Sequence, residues 1–224
     1  MKIRLFVLLL CTHILALASP DFTRFAFTLE VKEGNEISHN GTGCFVKSGG
    51  SVYYVTAHHI FSDMTDAQRA AMVKSLTIVS ESNRHLRFAP EQFVPVAQAQ
   101  DLTKTDMMVF KMKPNPSLSA YTVVLAPSAP LKDETVYLAS RLPGHPAATY
   151  ALKILDLDNE RVSYEKIAGI EKYTGASGGP ILNEKGQLVG TYLGRVFTDS
   201  KRTDIRCLFG TPHPSLTNIL PTPK

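Results

Sequence analysis

Thr174-Gly175-Ala176-Ser177-Gly178-Gly179-Pro180-Ile181-Leu182, running on through Asn183-Glu184-Lys185-Gly186 to Gln187-Leu188-Val189-Gly190-Thr191-Tyr192, is the stretch on which the fold turns. Glycines on both sides of Ser177 permit a tight turn that leaves its hydroxyl exposed and brings main-chain N–H groups together. The residues after the turn decide the class. Pro180, the short apolar pair Ile181-Leu182 and an Asn-Glu-Lys-Gly turn read as a strand entering a hairpin, with Gly186 available for a positive φ. A helix at this point would have meant a different architecture.

Outward from this hairpin the chain keeps the same character. Short segments rich in Val, Ile, Tyr, Phe and Thr are predicted as strands at Arg24–Val31, Thr42–Val46, Ser51–Thr56, Leu76–Val79, Met107–Met112, Thr135–Ala139 and Thr149–Leu155, as well as Pro180–Leu182 and Gln187–Tyr192. One helix is expected at Asp63–Lys74, where Thr65 can cap the helix formers after it. The Pro- and Ser-rich stretch Lys113–Pro130 reads as a linker between two β subdomains of similar size, each with enough strands for a closed barrel without free edges. The resulting expectation is an all-β chain: an N-terminal barrel over 19–116, a C-terminal barrel over 117–220 and a frayed tail at 221–224.

Residues 1–18 stand apart. Lys2 and Arg4 precede an apolar run from Leu5 to Leu17 that ends in Ala16-Leu17-Ala18, the pattern of a cleaved signal peptide and too short for a membrane span. The expected location is therefore secreted or periplasmic, with no stable membrane anchor once the signal is removed. The formal net charge is +4; loss of Lys2 and Arg4, with no acid in residues 1–18, leaves a mature charge too small to suggest a nucleic-acid partner. Of three cysteines, Cys11 leaves with the signal; Cys44 and Cys207 remain, and both a disulfide and two buried thiols are open at this point. No Cys-x-x-Cys or His-x-x-x-His spacing points to a metal, and no cofactor is expected.

Three segments carry candidate chemistry. Ser177 is a nucleophile candidate, but a serine hydroxyl needs a base. Val55-Thr56-Ala57-His58-His59-Ile60 offers two histidines at a strand end, of which alternation lets one face a site. Thr105-Asp106-Met107-Met108-Val109-Phe110 begins an apolar strand with one acid, which must be hydrogen-bonded if buried, and a histidine N–H would satisfy it. The order is His, Asp, Ser.

These segments resemble the chymotrypsin/trypsin-like serine proteases, above all compact bacterial members and the HtrA-type protease domain. Thr56-Ala57-His58-His59 is similar to the family's Thr-Ala-Ala-His, Gly175-Ala176-Ser177-Gly178-Gly179-Pro180 to Gly-Asp-Ser-Gly-Gly-Pro, and Gly41-Thr42-Gly43 and Gln187-Leu188-Val189-Gly190 extend the likeness. The resemblance implies two six-stranded antiparallel β-barrels and a short helix after the histidine. It implies a triad of His59, Asp106 and Ser177, an oxyanion hole from the N–H groups of Gly175 and Ser177, and a protein or peptide substrate.

It also places Glu171, Tyr192, Leu193 and Gly194 around the substrate pocket. Glu171 would favour Lys or Arg in the substrate if it sat at the pocket base, and is otherwise a solvated loop glutamate; Tyr192 stands where Glu-specific relatives carry histidine, which disfavours acidic specificity. Three residues depart from the pattern: His58 replaces an alanine, Ala176 the acid used in zymogen activation, and Leu193 a serine that supports the aspartate. Two other readings stand beside this one. One is a protease-like module that binds peptides without cutting them. The other is an esterase using the Gly-x-Ser-x-Gly elbow with Asp199 or Asp204 and His213, which would require a helix after Ser177.

Overall fold

The computed structural model describes residues 20–33, 36–62, 64–83, 85–94, 106–201 and 204–220; the expected signal segment 1–18 and the tail 221–224 lie outside the described residues. The first part of the chain forms β1 (Phe27–Glu33), β2 (Glu36–Ser48), β3 (Ser51–Thr56), helix α1 (Asp66–Met72), β4 (Leu76–Ser80), β5 (Arg87–Phe88), β6 (Pro90–Val94), β7 (Met108–Met112) and β8 (Thr122–Val123). The second part forms β9 (Thr135–Arg141), β10 (Ala147–Leu157), β11 (Val162–Tyr164), β12 (Pro180–Leu182), β13 (Leu188–Phe197), β14 (Ile205–Thr211) and helix α2 (His213–Ile219).

The second part is the closed six-stranded barrel expected, in the order β10-β11-β14-β13-β12-β9. The first part differs from the expected barrel. It is an eight-stranded sheet in the order β5-β4-β1-β2-β3-β7-β6, with β8 running parallel beside β2. Its outermost strands β5 and β6 succeed one another with only Ala89 between them, so the sheet returns on itself through the main chain rather than through a ladder of hydrogen bonds. Inside it, Phe27 and Phe45 meet at 4.5 Å between ring centroids with their planes tilted, and Phe45 and Phe88 at 5.3 Å edge to face. The hydroxyl of the buried Tyr54 donates to the Phe27 carbonyl at 2.8 Å, so the ring adds bulk without leaving a polar atom unsatisfied.

The expected helix is shorter, and its cap is the one read from the sequence. Gln68 N–H donates to Thr65 Oγ1 at 3.2 Å while Thr65 N–H donates to Gln68 Oε1 at 2.7 Å, a reciprocal capping box. The Pro-rich stretch 113–130 is more ordered than a linker. Asn115 caps a 3₁₀ turn at Pro116–Tyr121, Leu118 is buried in the first core, and β8 then joins the first sheet, so residues 117–123 pack with the N-terminal half.

The two halves share a third core. Phe22 packs its ring against Tyr137 of β9 at 5.8 Å and donates its N–H to Thr149 Oγ1 at 2.8 Å, laying the N-terminal arm on the second barrel. Cys44, Val55 and Val109 of the first sheet meet Leu182 and Leu188 of the second barrel in one cluster, closed by Leu216 and Leu220 at the α2 end. A buried acid adds to the joint. Glu81, 3% exposed, accepts from Thr28 Oγ1 and, at 3.0 Å, from Arg141 Nε, while Arg141 also donates to the Glu81 carbonyl at 2.8 Å.

The disulfide considered for Cys44 and Cys207 is not formed. Both are free and buried, Cys44 beside Val55 in the first sheet and Cys207 beside Val196 in the second barrel, and burial raises the Cys44 thiol pKa because the thiolate would be desolvated. Mature protein should therefore show two thiols that a chromogenic disulfide reagent reaches only after unfolding in guanidinium without reductant; a bridged pair would yield none. Arg141→Ala, which strips a guanidinium from a buried carboxylate, should lower stability by about 1–3 kcal/mol in urea unfolding. Lys153→Ala, which breaks only the exposed pair with Asp133, should leave the midpoint in place.

Candidate active site

Strand β3 ends at Thr56, and after the extended Ala57 the chain coils into a 3₁₀ turn at His58–Phe61. The two histidines are thus separated by a helical turn rather than by strand alternation. His58 is buried, its N–H donating to the Asp106 carbonyl at 3.3 Å; His59 is partly exposed. Asp106, 6% exposed and two residues before β7, grips His59 twice: its Oδ1 accepts the His59 main-chain N–H at 2.7 Å, and its Oδ2 lies 2.6 Å from the ring Nδ1. Among the described residues both carboxylate oxygens are taken by His59. The aspartate is therefore oriented by the backbone of the very residue it orients, and Leu193, buried in β13, supplies no hydroxyl for the purpose.

Ser177 sits on the turn between Tyr173 and β12. Ala176 N–H donates to Tyr173 O at 3.1 Å, Gly179 N–H to Ala176 O at 2.8 Å, and β13 clamps the far side, with Gly178 N–H on Tyr192 O at 2.7 Å and Tyr192 N–H on Gly179 O at 2.8 Å. Among the described residues the N–H groups of Gly175 and Ser177 have no acceptor, and a side chain built at Gly175 (φ +85°) would meet open space. Two unused donors beside a partly exposed hydroxyl are what an oxyanion requires. Ala176 is wholly buried in the barrel core, where an acid would be an unpaired buried charge.

Thr42 in β2 joins the serine turn to the histidine. Its N–H donates to Ser177 O at 2.8 Å and its hydroxyl to Gly175 O at 2.7 Å, while its own carbonyl accepts from Thr56 Oγ1 at 2.6 Å. Gly178 (φ +84°) is pressed into this junction so closely that a Cβ would lie 2.2 Å from Thr42 O and 2.6 Å from Ala57 N. The main chain two residues before His59 thus touches the residue after Ser177. Sequence reasoning registered Thr42 only as part of a Gly-Thr-Gly likeness; its role depends on a contact across 133 residues.

The proposed pocket residues are dispersed. Tyr192 and Leu193 are core residues, Tyr192 stacked on Tyr173 at 6.1 Å between centroids, with its phenol pKa pushed up by burial. Gly194 faces the Phe209 ring. Glu171 is exposed and lines a cavity of about 540 Å³ whose β13 wall is Arg195 and Phe197. The esterase elements do not assemble: the serine turn leads into strand β12, and the buried His213 is committed to the Ala126 carbonyl at 2.8 Å.

A closed six-stranded barrel joined to a second sheet, with serine turn, imidazole and carboxylate at their junction, is the architecture of chymotrypsin-like serine proteases. The chain belongs to the trypsin-like peptidase domain family, whose model matches residues 41–190. No curated protein matches it in sequence. Among solved structures it is similar to the Rv3671c protease of M. tuberculosis in its active form (15% identity, 91% of this chain and 84% of that chain, TM-score 0.58). It is similar to the inactive form of the same protease (14%, 88% and 88%, TM-score 0.55). A serine endoprotease from Yersinia pestis also shares the fold (14%, 88% of this chain and 61% of that chain, TM-score 0.58).

Thr42→Val removes one donor to the serine turn and keeps the side-chain volume. It should slow phosphonylation of Ser177 by a fluorophosphonate about ten- to a hundredfold, with KM for a peptide unchanged and Thr42→Ser restoring the rate. The accompanying loss of stability should be about 1 kcal/mol.

Proposed function

We propose that this chain is an exported serine endopeptidase that cleaves proteins or peptides through an acyl-enzyme. Ser177 Oγ attacks the scissile carbonyl and His59 Nε2 takes its proton, while Asp106 holds Nδ1–H and stabilises the imidazolium. The oxygen that becomes negative is received by the N–H groups of Gly175 and Ser177. His59 then returns the proton to the leaving amine as the C–N bond breaks. Water, deprotonated by His59, attacks the ester; the acid leaves and Ser177 recovers its proton.

The observation that carries this reading is the twofold grip of Asp106 on His59, at 2.7 and 2.6 Å, beside a serine turn fastened to the same strand end. An aspartate spent on both the main chain and the ring of one histidine fixes the ring tautomer and direction, which a merely structural acid has no need to do. Export through residues 1–18 to a secreted or periplasmic location belongs to the same proposal, supported by the charged-then-apolar pattern of the segment.

Mature protein treated with a fluorophosphonate should gain one label, mapped by mass spectrometry to Ser177, and should cut denatured casein. Ser177→Ala should abolish both, and Asp106→Asn should reduce peptide hydrolysis by about 10⁴-fold with the fold intact. Absence of label on folded mature protein would favour a peptide-binding module that does not cut.

A further inference from the structure

The cavity between residues 166–171 and the outer end of β13 has a definite electrostatic character. One wall is the segment Lys166–Glu171, which runs through Tyr173 into the turn, since Ala176 N–H is held on Tyr173 O. The other is β13 beyond Tyr192, the residue whose main chain clamps Gly178 and Gly179. Both walls are therefore continuous with the elements that hold Ser177.

Four charged groups line this space. Lys166 and Asp204 pair with each other at 3.6 Å. Glu171 is exposed, where water screens its charge. Arg195 is different: it is partly buried, its Cζ stands 5.3 Å from the Phe197 ring centroid, and its Nη1 donates to the Glu171 carbonyl at 3.5 Å. Among the described residues no carboxylate lies within 4.0 Å of it, so a guanidinium held in place on two sides keeps donors unspent. Its charge reaches Tyr173 and Tyr192, whose main chains flank the serine turn, and works to lower their pKa values against the larger, opposite effect of burial.

A fixed guanidinium with free donors is built to receive a planar carboxylate on two parallel bonds. We propose that Arg195 selects substrates with Asp or Glu as the residue whose carbonyl is attacked, its side chain entering this cavity. This rests on the reading of Ser177 as nucleophile. It runs against the Lys or Arg preference that Glu171 would give: a substrate cation entering here would meet the guanidinium that caps the Glu171 carbonyl, and the carboxylate of Glu171 is the more screened of the two.

The test uses mature protein and fluorogenic peptides that differ only in the residue before the cleaved bond: Glu, Asp, Lys, Arg, Ala or Phe. Glu and Asp peptides should exceed Lys and Arg peptides about ten- to a hundredfold in kcat/KM, the range of one charge-assisted hydrogen-bonded contact. Arg195→Glu should invert the order, Arg195→Gln should level it, and Glu171→Gln should raise cleavage after acids. Arg195→Gln alone suffices if the charge reversal does not fold. A wild-type preference for Lys or Arg, or an acidic preference that survives Arg195→Gln, overturns the assignment. Fluorophosphonate labelling run in parallel separates the two levels: a labelled enzyme that cuts after basic residues overturns the cavity assignment alone, whereas an unlabelled protein that cuts nothing overturns both.

Discussion

There is no room for a β-carbon at residue 178, and the arrangement of the site depends on that. With Thr42 O at 2.2 Å, Thr56 Oγ1 at 2.3 Å and Ala57 N at 2.6 Å from where a Cβ would sit, the serine turn rests directly on the main chain of β2 and on the end of β3. Close-packed main chain does not yield continuously, so the separation between the histidine's strand and the serine's turn is fixed to within the tolerance of packed atoms. Thr42 converts that contact into orientation. It occupies the carbonyls of Gly175 and Ser177, while among the described residues the N–H groups of those two residues stay uncommitted.

Such a junction holds only if the two halves cannot slide, and the rest of the chain is arranged to prevent sliding. The N-terminal arm crosses to the second barrel through Phe22, the α2 end closes the shared core through Leu216 and Leu220, and Glu81 ties the end of β4 to Arg141 at the end of β9. Each device crosses the boundary at a different place, so rotation about any one contact strains the others. The guanidinium on Glu81 also answers a local need, because a carboxylate that is 3% exposed is costly without a hydrogen-bonded partner. The same residue pair therefore serves local satisfaction and global alignment.

Legibility in the sequence divides along the range of the interactions. The Thr65 cap, the hairpin after Ser177 and the β character of most segments are local matters, and they were legible. Resemblance singled out the segments of His59, Asp106 and Ser177, and the structure pairs His59 with Asp106. β5, β6, β8, β11, β14 and α2 were not legible; of these, the two- and three-residue strands β8 and β11 acquire their identity from partners far away in the chain. The neighbourhood of Tyr192 holds an irregularity that the sequence did not display. Between Tyr192 and Gly194 the register of β13 against β14 shifts by one residue, so simple alternation fails there: Tyr192 and Leu193 are both buried, and Arg195 arrives at the cavity. A bulge leaves no mark in composition or spacing.

The structural relatives sharpen where activity must be sought. The active and inactive forms of the M. tuberculosis protease match this chain about equally, at TM-scores of 0.58 and 0.55, so the overall course of the two halves does not distinguish a working site from an idle one. On the proposed reading, the peptide units that matter are the ones bearing the N–H groups of Gly175 and Ser177. Thr42, from the opposite half, holds the carbonyls adjoining them, whereas the cavity wall at Arg195 is formed by the barrel itself. On that reading, alignment of the donors depends on the joint between halves, and the proposed selection of the substrate on one barrel alone. The two properties can therefore be altered separately, by substitutions at residues 42 and 195 respectively.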